Sequence, residues 1–167
     1  MDSLRFGGLT LDHQESAIAT DDRSHVENRL VGKALKFWEN ARTEGGLPPV
    51  SAPEDLNCPF GATDSMVIEV CATESEDRVV TAGRSVAQAL GRDPTGLSVH
   101  DALPSATEMG LSFCRASIDL KKPMADVGRF FNRNGEEILY RSILLPLSEN
   151  GTTVDRVVNA FSYKVVH

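Results

Sequence analysis

Two Asn-Gly pairs, Asn134-Gly135 and Asn150-Gly151, divide the last third of the chain into three runs of strand-like residues. Asn-Gly is a strong short-range signal for a β-hairpin, because both residues tolerate the positive φ angles that a two-residue type I′ turn requires. The segment from Lys122 to Val166 is therefore predicted to form a three-stranded antiparallel meander.

The composition excludes some classes of function. The chain has 167 residues, which suits one domain, and a formal net charge of −7. An acidic chain is a poor general nucleic-acid binder and does not dock electrostatically on an anionic membrane surface. No apolar run approaches the length of a membrane span and no signal-peptide pattern is present, so we predict a cytoplasmic location without membrane insertion.

Cysteine and histidine give no sign of a metal site. The three cysteines are widely spaced and odd in number, which does not indicate a disulfide framework. The histidines are scattered, and none lies at metal-ligand spacing from a cysteine or a second histidine. We therefore predict no metal site.

The first part of the chain is predicted to hold a tail, a helix and a connector. Residues 1–22 are polar and are expected to form a mobile tail, with a short strand at Leu9–Leu11 as an alternative. Residues 23–60 then contain a helix and a Pro-rich connector. Ser24-His25-Val26-Glu27 has capping-box spacing for the start of that helix. Its apolar stripe follows at helical spacing and includes Val31, Leu35 and Trp38.

Residues 61–167 are predicted to form the core of the domain. Ser65–Cys71 and Arg78–Ala82 have the composition of strands, and short helical turns follow them. Ser105-Ala106-Thr107-Glu108 is a second capping-box match, which predicts a longer helix to about Leu120. The predicted order is two strands, several short helices, one longer helix and three antiparallel strands.

This order resembles the PAS domain, and local motifs agree with it. They are the run from Gly91 to Leu97, the polar hairpin Asn132-Arg133-Asn134-Gly135, and Leu145-Pro146-Leu147 before Asn150-Gly151. The resemblance implies an α+β fold: a five-stranded antiparallel sheet with short helices and one longer helix on one face, plus an N-terminal amphipathic helix. It also implies a role in signalling by ligand binding, dimerisation or contact with a partner protein.

The helix bearing Phe37-Trp38, followed by Leu47-Pro48, resembles a bacterial family of short PAS-like proteins without an output domain. We therefore expect a regulatory protein that works through a surface recognised by an unknown signalling partner. The sequence does not identify a cofactor. Asn57-Cys58-Pro59-Phe60 is similar to the flavin-binding motif of light-sensing PAS relatives, but it precedes the first strand. The longer helix has no histidine where haem-binding relatives carry their ligand.

The predicted meander also suggests a pocket. With two-residue turns, Arg129 lies opposite Tyr140, Ser142 opposite Asn159, and Tyr140 opposite Phe161. The resemblance favours the Tyr140 face as the concave one, which gives a candidate pocket for a small polar or anionic ligand. A slip of one residue in either turn would exchange the faces. The candidate pocket residues are Arg129, Tyr140, Ser142, Asn159 and Phe161, with Met109 and Phe113 from the longer helix.

The apolar stripe of the N-terminal helix requires a cover, because an isolated helix of that length is marginally stable. It either packs on its own sheet or exchanges with a partner subunit. We expect a homodimer that uses this helix, with Val31, Leu35 and Trp38 as candidate interface residues, together with the exposed sheet face.

Two alternatives remain open. One is a ligand-free PAS adaptor or dimerisation module with a filled interior. The other is an enzyme with a cone-shaped α+β fold, similar to ketosteroid isomerase, which would need a catalytic carboxylate or His–Asp pair inside. His100-Asp101 are adjacent in sequence and do not face each other on a helix, and Glu69 and Asp126 are expected on exposed strand faces. We therefore predict that the protein is not an enzyme.

Overall fold

A computed structural model describes the backbone of residues 5–6, 9–10, 22–103 and 108–167, and the side chains of residues 30–103 and 114–167. The predicted tail, apart from a small hairpin and the first residue of a helix, lies outside the described residues, as do Ser105 and the rest of the second capping box before Glu108. The regular elements, in chain order, are β1 (Arg5–Phe6), β2 (Leu9–Thr10), α1 (Asp22–Ala41), β3 (Ser65–Glu69), β4 (Arg78–Ala82), α2 (Arg84–Leu90), α3 (Val99–Ala102), α4 (Glu108–Leu120), β5 (Met124–Phe131), β6 (Glu137–Leu147) and β7 (Arg156–Val166).

A five-stranded antiparallel sheet organises the domain, in the order β4-β3-β7-β6-β5. The strands β1 and β2 form a separate hairpin, and β1 lies close to β5. The helices α2 and α4 pack on one face of the large sheet, whereas α1 contacts β6 and β7. This arrangement confirms the predicted α+β class and its five-stranded antiparallel sheet.

The N-terminal helix covers the convex face, defined here as the sheet face opposite Tyr140. On this face Ile143, Leu145, Val158 and Ala160 are buried. Alternation along β6 and β7 points these side chains away from α2 and α4, so α1 must cover them. Burial of such an aliphatic layer is the main favourable term in the stability of a domain of this size.

Trp38 anchors α1 to the sheet. Its indole Nε1 donates a hydrogen bond of 2.7 Å to the carbonyl oxygen of Pro146 in β6, and only 4% of the residue is exposed. Leu35 and Val31, one and two turns earlier, are also buried. The helix begins at Asp22, so the predicted N-cap at Ser24 is wrong, because Ser24 lies within the first turn.

The longer helix α4 is tied to the opposite edge of the sheet by an ion pair. Arg115 Nη2 lies 2.5 Å from Oδ2 of Asp77, which precedes β4. The second oxygen of Asp77 accepts a hydrogen bond of 2.7 Å from the backbone N–H of Cys71. Asp77 is buried and has both carboxylate oxygens bonded, as a buried charge requires.

Gly83 joins β4 to α2 at a very close approach of two backbone segments. A Cβ atom at this position would lie 1.9 Å from the carbonyl oxygen of Ala62 and 2.2 Å from that of Thr63. The Gly83 N–H also donates a 2.9 Å hydrogen bond to the carbonyl of Ser65. The glycine therefore allows the 3-10 turn before β3 to pack directly on the start of α2.

The two hairpins are not the predicted two-residue type I′ turns. Gly135 and Gly151 have positive φ angles, whereas Asn134 and Asn150 do not, and a type I′ turn needs both central residues in that region. The loops instead span residues 132–136 and 148–155. The side-chain carbonyl oxygen of Asn132 accepts hydrogen bonds from the backbone N–H groups of Asn134 and Glu136, which fixes the conformation of the first loop.

The longer loops change the predicted register. Arg129 pairs with Leu139 instead of Tyr140, a slip of one residue that moves it to the convex face. Asn159 pairs with Leu144 instead of Ser142, a slip of two residues that keeps it on the predicted face. The predicted pairing of Tyr140 with Phe161 is also wrong, because Tyr140 pairs with Tyr163.

Candidate functional site

A small cavity lies between α2, α4 and the concave face, defined as the sheet face that carries Tyr140. Its volume is about 50 Å³. Most of the described wall is aliphatic or aromatic, and four side chains bring polar atoms to it. The described lining residues are Met66, Ile68, Leu90, Leu103, Cys114, Asp126, Phe130, Tyr140, Ser142, Leu144, Asn159 and Phe161.

A buried tyrosine–aspartate pair forms one side of the cavity. The Tyr140 hydroxyl donates a 2.8 Å hydrogen bond to Oδ2 of Asp126, and only 4% of Asp126 is exposed. Gly128 pairs with Tyr140 across the strands and leaves room for its ring. A Cβ at Gly128 would lie 3.1 Å from the Tyr140 hydroxyl oxygen and 3.3 Å from two ring carbons. The glycine thus lets the tyrosine lie over β5 and reach Asp126.

Burial controls the protonation of this pair. The pKa of Asp126 is raised from 3.8 to about 6. Removal from water raises it, and the hydrogen bonds from Tyr140 and from the Val127 backbone offset only part of that increase. Burial and the neighbouring carboxyl raise the pKa of Tyr140, which stays protonated at neutral pH. Burial also raises the pKa of the Cys114 thiol, to about 12. Asp126 is thus the group at the described wall that titrates near neutral pH.

Two further polar side chains face the cavity without using their hydrogen-bonding capacity. Ser142 is 3% exposed and Asn159 is 7% exposed, and both line the cavity. Neither side chain has a hydrogen-bond partner within the described part of the chain. A buried hydroxyl or amide without a partner is costly, so the cavity is chemically suited to a guest with hydrogen-bonding groups.

Aromatic rings complete the wall. The ring centroids of Phe130 and Tyr140 are 5.7 Å apart, and those of Tyr140 and Phe161 are 5.9 Å apart. Phe161 in turn stacks on Tyr163 at 5.8 Å. These distances lie in the range of favourable aromatic contacts, so the rings form a continuous surface across β5, β6 and β7.

The structure brings together four of the predicted pocket residues, namely Tyr140, Ser142, Asn159 and Phe161. Arg129 does not lie at the cavity. Its side chain is 73% exposed on the convex face, and its Nη1 lies 3.2 Å from Oε2 of Glu137. Met109 and Phe113 belong to α4, and their side chains lie outside the described residues.

Asp126 is the cavity residue that sequence reasoning misplaced. It was expected on an exposed strand face, but the structure buries it, because the one-residue slip in β5 turns it inward in place of Arg129. Its pairing with Ser142 across the strands puts the two polar groups side by side. The signal that could have found it was the alternation of β5 read from Met124 and Phe130, the two large apolar residues on the same face.

The residues present do not fit a flavin. The cavity of about 50 Å³ is far below the roughly 300–1,000 Å³ typical of pockets for larger ligands. Cys58 is not at the wall; its thiol donates a 3.2 Å hydrogen bond to the Phe60 carbonyl in the connector. Within the described residues no group of three or more His, Cys, Asp or Glu side chains is arranged to hold a metal ion.

The N-terminal candidates lie elsewhere. Val31, Leu35 and Trp38 are buried against the sheet of the same chain, far from solvent. A dimer that used these three side chains would need the helix to exchange between subunits. Across the described segments, no helix combines the length and apolar character that crossing a membrane would demand.

Comparison with known proteins gives structural matches only. No protein-family model and no curated protein sequence matches this chain. The blue-light photoreceptor Aureochrome1 LOV in its light state is similar with a TM-score of 0.50 and 11% identity, over 62% of this chain and 82% of that one. A variant of RsLOV, the LOV protein of Rhodobacter sphaeroides, has a TM-score of 0.51 and 11% identity, over 82% and 69% of the two chains.

A variant of Vivid, a fungal photoreceptor, has a TM-score of 0.50 and 13% identity, over 80% of this chain and 98% of that one. Identities at this level carry information about the fold alone. The sheet order, the helices on the concave face and the cavity between them agree with that likeness. The chain therefore has the fold of a PAS domain.

Proposed function

We propose that this protein is a sensory or regulatory component of a bacterial signalling system that acts through protein–protein interaction under control of a small ligand in the cavity. The observation that carries the proposal is the pair of buried polar side chains, Ser142 and Asn159, which face a cavity in a PAS fold and have no hydrogen-bond partner among the described residues. A ligand that bonded them would satisfy groups that the described residues leave unsatisfied.

The cavity has a physical route to the surface through α4. Cys114 lines the cavity, and the next residue, Arg115, forms the ion pair with Asp77 at the β3–β4 turn. A ligand that favours one packing of α4 against the sheet would bias the exposed surface that α4 and this turn present. The shift in population is limited by the difference between the affinities of the ligand for the two packings.

A ligand-free adaptor is the second candidate, and the small volume of the cavity favours it. About 50 Å³ admits only a few waters or a very small molecule. In that case partner binding would depend on the surface alone, and the polar groups at the wall would be satisfied by water.

The proposal includes a homodimer, a cytoplasmic location and no enzymatic activity. The expectation of no enzymatic activity rests on the titratable groups. Arg115 and Asp77 form an ion pair with each other, and Tyr140 and Cys114 remain protonated, so Asp126 has no second group at the described wall that titrates near neutral pH.

The oligomeric state is tested by sedimentation over a hundredfold range of concentration. A mass that stays that of a monomer would remove the dimer from the proposal.

The deciding experiment fills the cavity. Ser142→Leu places a larger apolar group in the space, and Ser51→Leu makes the same change at an exposed serine in the connector. We expect native mass spectrometry of untagged protein to find a bound small molecule that Ser142→Leu loses and Ser51→Leu retains. We also expect Ser142→Leu to change the amount of partner protein retained on the immobilised chain. No adduct and identical partner retention by all three proteins would favour the adaptor.

A further inference from the structure

Among the residues whose side chains the structure describes, none is a counter-ion for the carboxyl of Asp126. Its described partners are the Tyr140 hydroxyl and a backbone N–H, and no basic side chain in the described part of the chain lies within ion-pair distance of it. A buried carboxylate is stable when it is paired, and an unpaired one shifts toward its neutral form. A positively charged ligand would supply the ion pair that the described wall does not provide.

The neighbouring acceptors match an ammonium group. Asp126 pairs directly with Ser142 across β5 and β6, and Asn159 lies on the same face one pair further along. An ammonium has three N–H donors and no acceptor. The carboxylate, the serine hydroxyl and the asparagine carbonyl oxygen together offer one acceptor for each donor.

The rest of the wall favours an organic cation over a metal ion. Phe130, Tyr140 and Phe161 line the cavity with aromatic rings, whose faces attract alkylammonium groups. The aliphatic wall would not replace the oxygen shell of a hard cation, since Ca²⁺ takes six to eight oxygen ligands and Mg²⁺ an octahedral set. The net charge of −7 for the whole chain also favours the approach of cations.

We infer that the cavity selects a small organic cation, a primary or methylated ammonium, held by Asp126, Ser142 and Asn159 against the aromatic rings. This inference rests on the proposed function and names the class of its ligand. It differs from the small polar or anionic ligand that the sequence suggested, because the register of β5 turns Asp126 to the concave face and Arg129 away from it.

The binding should depend on pH. Within the described part of the chain, the titratable side chains that line the cavity with Asp126 are Tyr140 on β6 and Cys114 on α4, and both remain protonated and neutral below pH 8. Affinity for a cation should therefore follow the ionisation of Asp126 alone, falling about tenfold for each pH unit below about 6 and levelling off above it.

The test is a titration of the full chain followed by NMR of backbone amides. Methylammonium and ethylammonium are the cationic probes, methanol and ethanol the neutral ones, formate and acetate the anionic ones, with Na⁺, Mg²⁺ and Ca²⁺ for comparison. We expect saturable shifts at Asp126, Tyr140 and Asn159 with the ammonium probes. Asp126→Asn should weaken ammonium binding by about tenfold or more, because the ion pair is lost. Asp119→Asn, an equal charge change at a side chain that is 64% exposed, should not.

Three results would overturn the inference. They are tighter binding of an alcohol, a carboxylate or a metal ion than of the ammonium probes, equal ammonium binding by Asp126→Asn, and absence of localised shifts with every probe. The first two leave the proposed function standing, because a ligand still enters the cavity and only its class is wrong. The third, combined with the absence of an adduct in native mass spectrometry, would also count against ligand control.

Discussion

The two faces of the same three strands, β5, β6 and β7, differ in the polarity of the side chains that they bury. The convex face is aliphatic near α1, and the Trp38 indole makes its hydrogen bond to Pro146. The concave face buries a carboxyl, a hydroxyl and an amide beside an open space. A buried polar group that is hydrogen-bonded contributes to stability, whereas one without a partner lowers stability and is free to bind a ligand.

The contrast lies within single strands. In β6, Ile143 and Leu145 point to α1 while Ser142 and Leu144 point to the cavity. The pleat of the strand thus separates two environments that are one residue apart. Substitutions on alternate residues can therefore test the two faces independently.

The largest effect is expected on the convex face. Trp38→Ala should lower the free energy of unfolding by roughly 3–5 kcal/mol, because it removes a buried ring and leaves the Pro146 carbonyl without its indole donor. Urea denaturation followed by circular dichroism measures the change. Leu56→Ala, at a fully exposed residue, is the control and should change stability by less than about 0.5 kcal/mol. A cost below about 1 kcal/mol for Trp38→Ala would show that α1 does not stabilise this face.

The second effect concerns the pH dependence of the concave face. The pKa of Asp126 in the folded chain is above its ordinary value, so between about pH 4 and 6 the folded protein binds more protons than the unfolded one. Stability therefore falls as the pH rises through this window, by up to about 3 kcal/mol for this residue.

Asp126→Asn should remove this loss of stability with rising pH. The variant should gain stability relative to the parent between pH 4.5 and 7.5, as measured by urea denaturation at each pH, while Asp119→Asn should run parallel to the parent. A difference between parent and Asp126→Asn that does not change with pH would mean that Asp126 is solvated in the folded state.

A smaller effect is expected at Gly128. The methyl group of Gly128→Ala would press on the Tyr140 ring, weaken its hydrogen bond to Asp126 and lower stability by roughly 1 kcal/mol. The pKa of Asp126 should rise further, because the hydrogen bond favours the ionised form. Carboxyl NMR titration measures the pKa. Gly32→Ala in α1, where a Cβ meets nothing within 4 Å, should instead stabilise the protein slightly.

The smallest effect is expected at Arg129, which the sequence placed in the pocket. Its ion pair with Glu137 is exposed, so Arg129→Ala should change stability by less than about 1 kcal/mol. Ammonium binding should not change either. Loss of ligand binding in this variant would contradict the register of β5 and restore the predicted faces.

Much of the fold could be predicted because each element has a local cause. Gly83 ends β4, Gly91 adopts the left-handed conformation after α2, and the two Asn-Gly pairs do lie in the hairpin loops. Strand Arg78–Ala82 has the predicted bounds. Tyr140, Ser142, Asn159 and Phe161 line one cavity because the loop between β6 and β7 changed the register by an even number of residues, and their role in ligand binding stays a prediction.

The rest of the site depended on one loop. Asn132 caps the first hairpin with its side chain, which changes the register of β5 by one residue and exchanges Arg129 for Asp126. A sequence motif of two residues does not encode that choice. The size of the cavity could not be predicted either, because it depends on how side chains from α2, α4 and four strands pack together.

The close approach at Gly83 has a consequence for recognising relatives of this chain. With two carbonyl oxygens about 2 Å from the place of a Cβ, even alanine would force two backbone segments apart. Chains that share this junction should keep glycine there while their cavity residues vary with the ligand. Gly83 is therefore a better anchor for aligning divergent sequences to this fold than the residues of the site. An alignment that places a larger residue opposite Gly83 is misaligned at the strand-to-helix junction.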